Sequence, residues 1–264
     1  SFLMGANDYR VGNSKSGRRE FISTALLSLA AINLNPSDVN PTGPSSMMVT
    51  SGKGASRHFK IAARLEMLPG KNIPEKISNA ERFGFNGISL PGRYLNSYQT
   101  ELMEVFHDLP LPLVSMSLGY EGSLVSMDGN VREICRNSIV NLIELCNELN
   151  ITILNLVPVF IQDHPEKAET SELDDLLTSQ LFAICEKGKE NGVFLLIEPV
   201  NRYETKYISK LSHAVRICKA VGHDYLGVTA DFYHMMMEEL HPAASLDESG
   251  KFILHVHVAV DTRV

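Results

Sequence analysis

Three apolar runs in this chain end on side chains that bind cations or move protons. Val193-Phe-Leu-Leu-Ile197 runs into Glu198 and is stopped by Pro199, after which a polar loop carries Asn201, Arg202 and Glu204. Leu226 to Ala230 runs into Asp231, followed by Phe232, Tyr233 and His234. Phe252 to Val258 holds His255 and His257, with Asp261 and Arg263 close behind. An apolar strand has no structural use for a charge at its end, and in parallel α/β folds the carboxyl ends of strands are where chemistry sits. Side chains two apart on a strand share a face, so His255 and His257 point the same way. Two carboxylates and an imidazole converging at one barrel mouth make a mixed oxygen and nitrogen site. Such a site suits Mn²⁺, Mg²⁺, Co²⁺ or Zn²⁺, with positions left open for substrate. Each group alone is weak evidence. Glu198 could as well meet solvent or pair with Arg202, and a lone strand histidine is more often a hydrogen-bonded core residue. Three consecutive strands ending this way favour the metal site.

Those ends need strands to carry them, and from Phe59 onward strand and helix patterns alternate. Strands are expected at 59–66, 87–90, 113–118, 151–157, 193–198, 226–231 and 252–258. Helices are expected at 73–83, 98–107, 131–149, 173–191 and 210–221. Another is expected to begin at Met235, run to Leu240 and break at Pro242. In the helix at 131–149, Ile134, Ile139, Leu142, Ile143 and Leu145 form the apolar face, and Gly192 fits the stop position of the helix before it. Seven such repeats imply a parallel sheet. The closed form is a (β/α)8 TIM barrel with its helices outside, here lacking an eighth strand and helix before Val264. Open edges on the first and last strands would favour a homo-oligomer. The competing architecture is a doubly wound open sheet. It usually carries a glycine-rich phosphate turn after its first strand, and Glu66-Met-Leu-Pro-Gly70 is not that fingerprint.

Composition sets the frame. At 264 residues, 44% hydrophobic and 21% charged, the chain can bury one large core. A net charge of −7 and a pI near 5.7 argue against nucleic acid as the main partner. Cys135, Cys146, Cys185 and Cys218 form no CxxC pair and read as small buried apolar residues. Residues 1–57 read as a leader and linker apart from the barrel at 58–264. Arg18-Arg19 followed by the apolar run Thr24 to Leu34 resembles the twin-arginine export signal of bacteria. A surface amphipathic helix that happens to contain Arg-Arg is the alternative. The run is too short for a stable membrane anchor, and residues 35–57 read as a flexible linker. A working leader implies a periplasmic or exported protein, and a silent one a cytoplasmic protein.

The same residues carry a family likeness. Ile197-Glu-Pro-Val-Asn-Arg-Tyr-Glu204, Ala230-Asp-Phe-Tyr-His234 with Glu238-Glu239, and His255-Val-His257 with Arg263 resemble the sugar phosphate isomerase/epimerase family, of the xylose-isomerase-like barrels. Gly84-Phe-Asn-Gly-Ile-Ser-Leu-Pro-Gly92 resembles the second strand of that family. The resemblance covers Phe59 to Val264. It implies an isomerase acting on a sugar or keto-sugar with a divalent metal ion. Glu198 would be metal ligand and proton-transfer base, Asp231 and His257 further ligands, and Glu204, His234 and Arg263 substrate contacts. The fourth ligand of the family, a glutamate on an eighth strand, has no match here. The partner base for epimerisation is therefore expected beyond Val264. Proton transfer next to a ketone passes through an enediolate, whose charge a divalent ion stabilises. Two readings compete. An endonuclease IV-like metal hydrolase would need more His and Asp ligands and a basic groove. A non-catalytic sugar-binding barrel would tolerate loss of the metal ligands, whereas Glu198, Asp231 and His257 are all present.

Overall fold

The structure, a computed structural model, describes residues 60–92, 100, 102–105 and 108–259. Its strands are β1 (Ala62–Arg64), β2 (Gly87–Pro91), β3 (Leu113–Ser117), β4 (Ile153–Leu156), β5 (Phe194–Ile197), β6 (Leu226–Asp231) and β7 (Ile253–His257). They form one sheet in sequence order, and every neighbouring pair is parallel. A parallel pair cannot be joined by a tight turn, so each connection needs a crossover. The helices of those crossovers are α1 (Ile73–Arg82), α2 (Gly129–Glu148), α3 (Thr170–Asn191) and α4 (Leu211–Val221), then α5 (Phe232–Glu238) and α6 (Pro242–Ser249) between β6 and β7. Residues 100 and 102–105, the described part of the helix expected at 98–107, are helical. The leader expected over 1–57, the start of the first strand at Phe59 and the site residue Arg263 lie outside the described residues.

Burial follows position in the sheet. All five residues of β2 and all six of β6 are buried, as expected for parallel strands covered on both faces. Among the described residues β7 pairs only with β6, and four of its five residues are half-buried. The sheet is concave on the face that carries the site. Thr229 of β6 donates to Asn155 Oδ1 of β4, across the intervening β5. In a flat sheet strands two places apart lie about 9–10 Å from each other, beyond the reach of these two short side chains. Asn155 Nδ2 also donates to Ser117 Oγ of β3 at 3.1 Å, and Ser115 Oγ donates to Ser89 Oγ at 2.8 Å. This polar layer is fully buried yet costs little, because no buried side-chain polar atom among the described residues lacks a partner.

Local chemistry sets the helix ends. Asn72 caps α1 by accepting from the Glu75 N–H at 2.9 Å, and Glu75 in turn accepts from the Lys71 N–H. Gly192 closes α3 at φ 71°, a left-handed conformation that fits the expected stop. Gly92 and Gly119, after β2 and β3, touch backbone to backbone. A Cβ on Gly92 would lie 2.1 Å from Leu118 O. The helix expected from Met235 to Leu240 is corrected. It starts at Phe232, directly after β6, because Asp231 caps it, and it ends at Glu238. Pro242 does not break that helix but opens the next one, where its missing N–H costs nothing. All four cysteines are buried, free thiols, each pushed up to about 12 by burial.

One charged cluster ties the β5 loop to the helix layer. Asp174 of α3 accepts from Tyr207 Oη at 2.7 Å, from His213 Nε2 at 2.7 Å and from Arg216 at 2.6 Å. Burial alone would raise the Asp174 pKa, but these three donors outweigh it and hold the carboxyl below its usual range. A depressed carboxyl contributes stability that is fully present above the unfolded pKa of about 3.9 and is lost as pH falls through the folded value. Asp174→Asn is therefore expected to lower Tm near pH 7, with the gap to wild type closing as the melt is repeated towards pH 3. A gap that stays constant with pH would contradict the assignment.

Candidate active site

The strand ends bring the predicted ligands together. Glu198 follows β5 directly, and its N–H donates to Leu156 O at 2.9 Å, extending the ladder by one residue. Asp231 and His257 are the last residues of β6 and β7 and are register partners. His257 Nδ1 lies 2.8 Å from Glu198 Oε1 and 3.8 Å from Asp231 Oδ2. One ligand atom from each of the three falls within 4.8 Å of the others, the only such group of three among the described residues. Concavity makes this possible, since Glu198 and His257 sit on strands two places apart.

The two oxygens of Asp231 do different work. Oδ1 accepts from the Tyr233 N–H at 2.8 Å and the His234 N–H at 3.4 Å, capping α5. Oδ2 faces His257, and it lies 3.8 Å from His234 Nε2. The cap thus fixes the carboxylate with its second oxygen aimed into the site.

Electrostatics explain why the cluster suits a cation. Glu198 and Asp231 are both buried, and burying like charges side by side is costly. Burial disfavours the ionised form of Glu198, but the adjacent His257 outweighs it and holds this carboxyl below its usual range. Asp231 is pushed up, first by burial and then by the charge of Glu198. Burial opposes a charge on His257, yet Glu198 and then Asp231 raise its pKa. A proton on His257 therefore balances part of the excess negative charge. Two carboxylate oxygens and an imidazole nitrogen are a donor set that a divalent ion fits. His255 packs edge-on against His257 with ring centroids 5.0 Å apart, and burial pushes it down to about 3.

The loop after β5 forms the wall of the site. Arg202 does not pair with Glu198. Its Nε donates to Glu238 Oε1 at 2.9 Å, as does its backbone N–H. The Glu198 charge is thus left to the cluster. Glu204 and His234 come together beside it, with Glu204 Oε1 3.9 Å from His234 Nδ1. Asn201 Nδ2 bridges both.

Residues 77–263 match the family described as xylose isomerase-like TIM barrel. The chain belongs to this family. A 3-dehydro-D-guloside 4-epimerase of Escherichia coli (strain K12) is 24% identical over 211 residues, which span 78% of this chain and 80% of that protein. Among solved structures, the apo 3-keto-D-glucoside 4-epimerase of E. coli aligns with a TM-score of 0.71 at 22% identity, over 78% of this chain and 81% of that one. The D-psicose 3-epimerase of Clostridium cellulolyticum H10, with D-tagatose, aligns with a TM-score of 0.68 at 18% identity, over 76% and 73%. The fold is the TIM barrel, not the doubly wound sheet. In this xylose isomerase-like barrel the candidate groups stand at the carboxyl ends of β5, β6 and β7.

Three groups of the site were not singled out by the sequence. Asn201 read as part of a polar loop and of the family motif with no contact assigned to it, although its three-residue spacing to Glu204 is a local signal. Glu238, which clamps Arg202, was visible only inside a motif. Tyr120, after β3, both donates to Val157 O at 2.6 Å and accepts from the Val157 N–H at 2.9 Å, and burial first, with a smaller push from the Glu198 charge, raises its pKa. Nothing local to residue 120 signals that role.

Proposed function

We propose that this chain is a divalent-metal-dependent epimerase or isomerase of keto-sugars. The convergence of Glu198, Asp231 and His257 on one concave face carries the reading. Family membership supports it, as do relatives named 3-dehydro-D-guloside 4-epimerase and D-psicose 3-epimerase.

Glu198, Asp231 and His257 would hold the cation. When bound, it supplies positive charge that favours an enediolate over the neutral ketone. Glu198 removes the proton from the carbon beside the carbonyl, and the electron pair left behind moves to the carbonyl oxygen. Reprotonation from the opposite face inverts that carbon; reprotonation at the neighbouring carbon isomerises the sugar. His234 and Glu204 hydrogen-bond sugar oxygens at the wall of the site, and Arg263 is assigned to the same task.

The test is hydrogen exchange. The Mn²⁺-loaded protein is incubated in D₂O with 3-keto-glucosides and with ketohexoses, and proton NMR follows the carbon-bound hydrogens. Deuterium is expected at one stereocentre next to the carbonyl. Sugar binding by calorimetry without any exchange would leave a binding barrel in place of an enzyme.

A further inference from the structure

His234 has two ring nitrogens, and which of them carries the proton decides what it does. The structure constrains the answer through Asn201. The Tyr203 N–H donates to Asn201 Oδ1 at 2.9 Å. A backbone N–H can only donate, so this contact fixes which end of the amide is oxygen. The other end, Nδ2, is a donor, 2.8 Å from His234 Nδ1 and 2.9 Å from Glu204 Oε1. The backbone N–H of Asn201 also points at His234 Nδ1, at 3.1 Å. The two groups within hydrogen-bond distance of Nδ1 are both obligate donors, whereas the acceptor Glu204 Oε1 stands off at 3.9 Å, so Nδ1 accepts and carries no proton. In the neutral ring the proton is then on Nε2. Nε2 is the nitrogen on the ligand side of the ring, 3.8 Å from Asp231 Oδ2.

We infer that Asn201 is a positioning residue that locks His234 in the neutral Nε2–H tautomer and seats Glu204 beside it. His234 is thereby a hydrogen-bond donor toward a sugar oxygen that gains negative charge. With the proton on Nδ1 instead, Nε2 would be an acceptor and His234 a base. The choice between donor and base is made by the second residue after Pro199, in a different βα unit from the histidine. The role toward a sugar oxygen rests on the proposed function; the tautomer does not.

The experiment reads the tautomer without turnover. Long-range proton–nitrogen spectra of the metal-free full chain, labelled at histidine, distinguish protonated from unprotonated ring nitrogens. Comparison with His234→Gln assigns the signals. Wild type is expected to show His234 protonated at Nε2 and bare at Nδ1. Asn201→Asp replaces the amide donor with an acceptor and is expected to move protonation toward Nδ1. It is also expected to lower kcat/KM about 10- to 100-fold, as loss of an outer-shell partner does. A wild-type His234 protonated at Nδ1 overturns the inference, even if the variant fails to fold. So does a folded Asn201→Asp protein with an unchanged spectrum and unchanged kcat. A wild type that exchanges no keto-sugar hydrogen defeats the proposed function instead, and the spectrum still decides the tautomer.

Discussion

Glu198→Gln is expected to lower kcat for keto-sugar epimerisation about 1000-fold, in the range lost with a general base, while the barrel stays folded. The glutamine amide has the shape of the carboxylate but cannot accept a carbon-bound proton. Stability should change little in the metal-free protein, for a reason visible in the site. Glu198 is buried and faces both Asp231 and His257. Removing its charge relieves the repulsion that, after burial, raises Asp231, and removes the largest of the causes that raise His257. His257 then loses its proton more readily, and the neutral ring can accept at Nδ1 from the new amide. Thermal melts check the fold, calorimetry checks sugar binding and exchange NMR checks turnover. Activity within tenfold of wild type would remove Glu198 from the role of base. Lost sugar binding together with lost activity would make it a binding residue.

Strands such as β5 and β6 were legible because an apolar run meets a charged stop, and burial on both faces demands such runs. Ile197-Glu198-Pro199 shows the rule: the strand ends where the charge begins, and proline prevents the ladder from continuing. The cluster of Glu198, Asp231 and His257 was legible for the same reason, since alternation and strand ends follow directly from residue order. The helix after β6 was misplaced because Phe232-Tyr-His-Met-Met-Met-Glu238 has no amphipathic period to read. What starts it is a single carboxylate, and the signal is Asp231 immediately before the run. Asn201 was legible as a loop and motif residue, but its contact was not. Its partner His234 is 33 positions away, and the contact exists only because β5 and β6 are neighbours. The same holds for Arg202 and Glu238, 36 positions apart. Sequence order alone left Arg202 free to pair with Glu198, and the fold gave it Glu238. Arg263, assigned from the motif, lies outside the described residues, so its role stands as a proposal.

Asp231→Asn separates the two duties of one side chain and is expected to abolish metal binding without unfolding α5. The cap needs an acceptor facing the Tyr233 and His234 N–H groups, and the asparagine oxygen supplies it. That choice turns the amide nitrogen to where Oδ2 stood, presenting hydrogens to a cation in place of a lone pair. Asp231→Ala loses both functions and is expected to lose about 1 kcal/mol more stability through the missing cap. Wild type should gain from metal. At about 100-fold excess over Kd, a ligand that binds only the native state adds about 2.7 kcal/mol, which for a domain of this size raises Tm by about 5–10 °C. Differential scanning fluorimetry with Mn²⁺ or Mg²⁺ reads this shift, and chelation should reverse it. The Asp231→Asn protein should melt near metal-free wild type and show no shift, and His257→Ala should also show none. Glu198 and Asp231 raise the His257 pKa, so protons compete with the metal for this ring and binding should release protons, seen as a buffer-dependent calorimetric heat. A full metal shift in Asp231→Asn would leave Asp231 as a helix cap alone. No shift in wild type, with the fold intact, would take the divalent ion out of this site and the proposed mechanism with it.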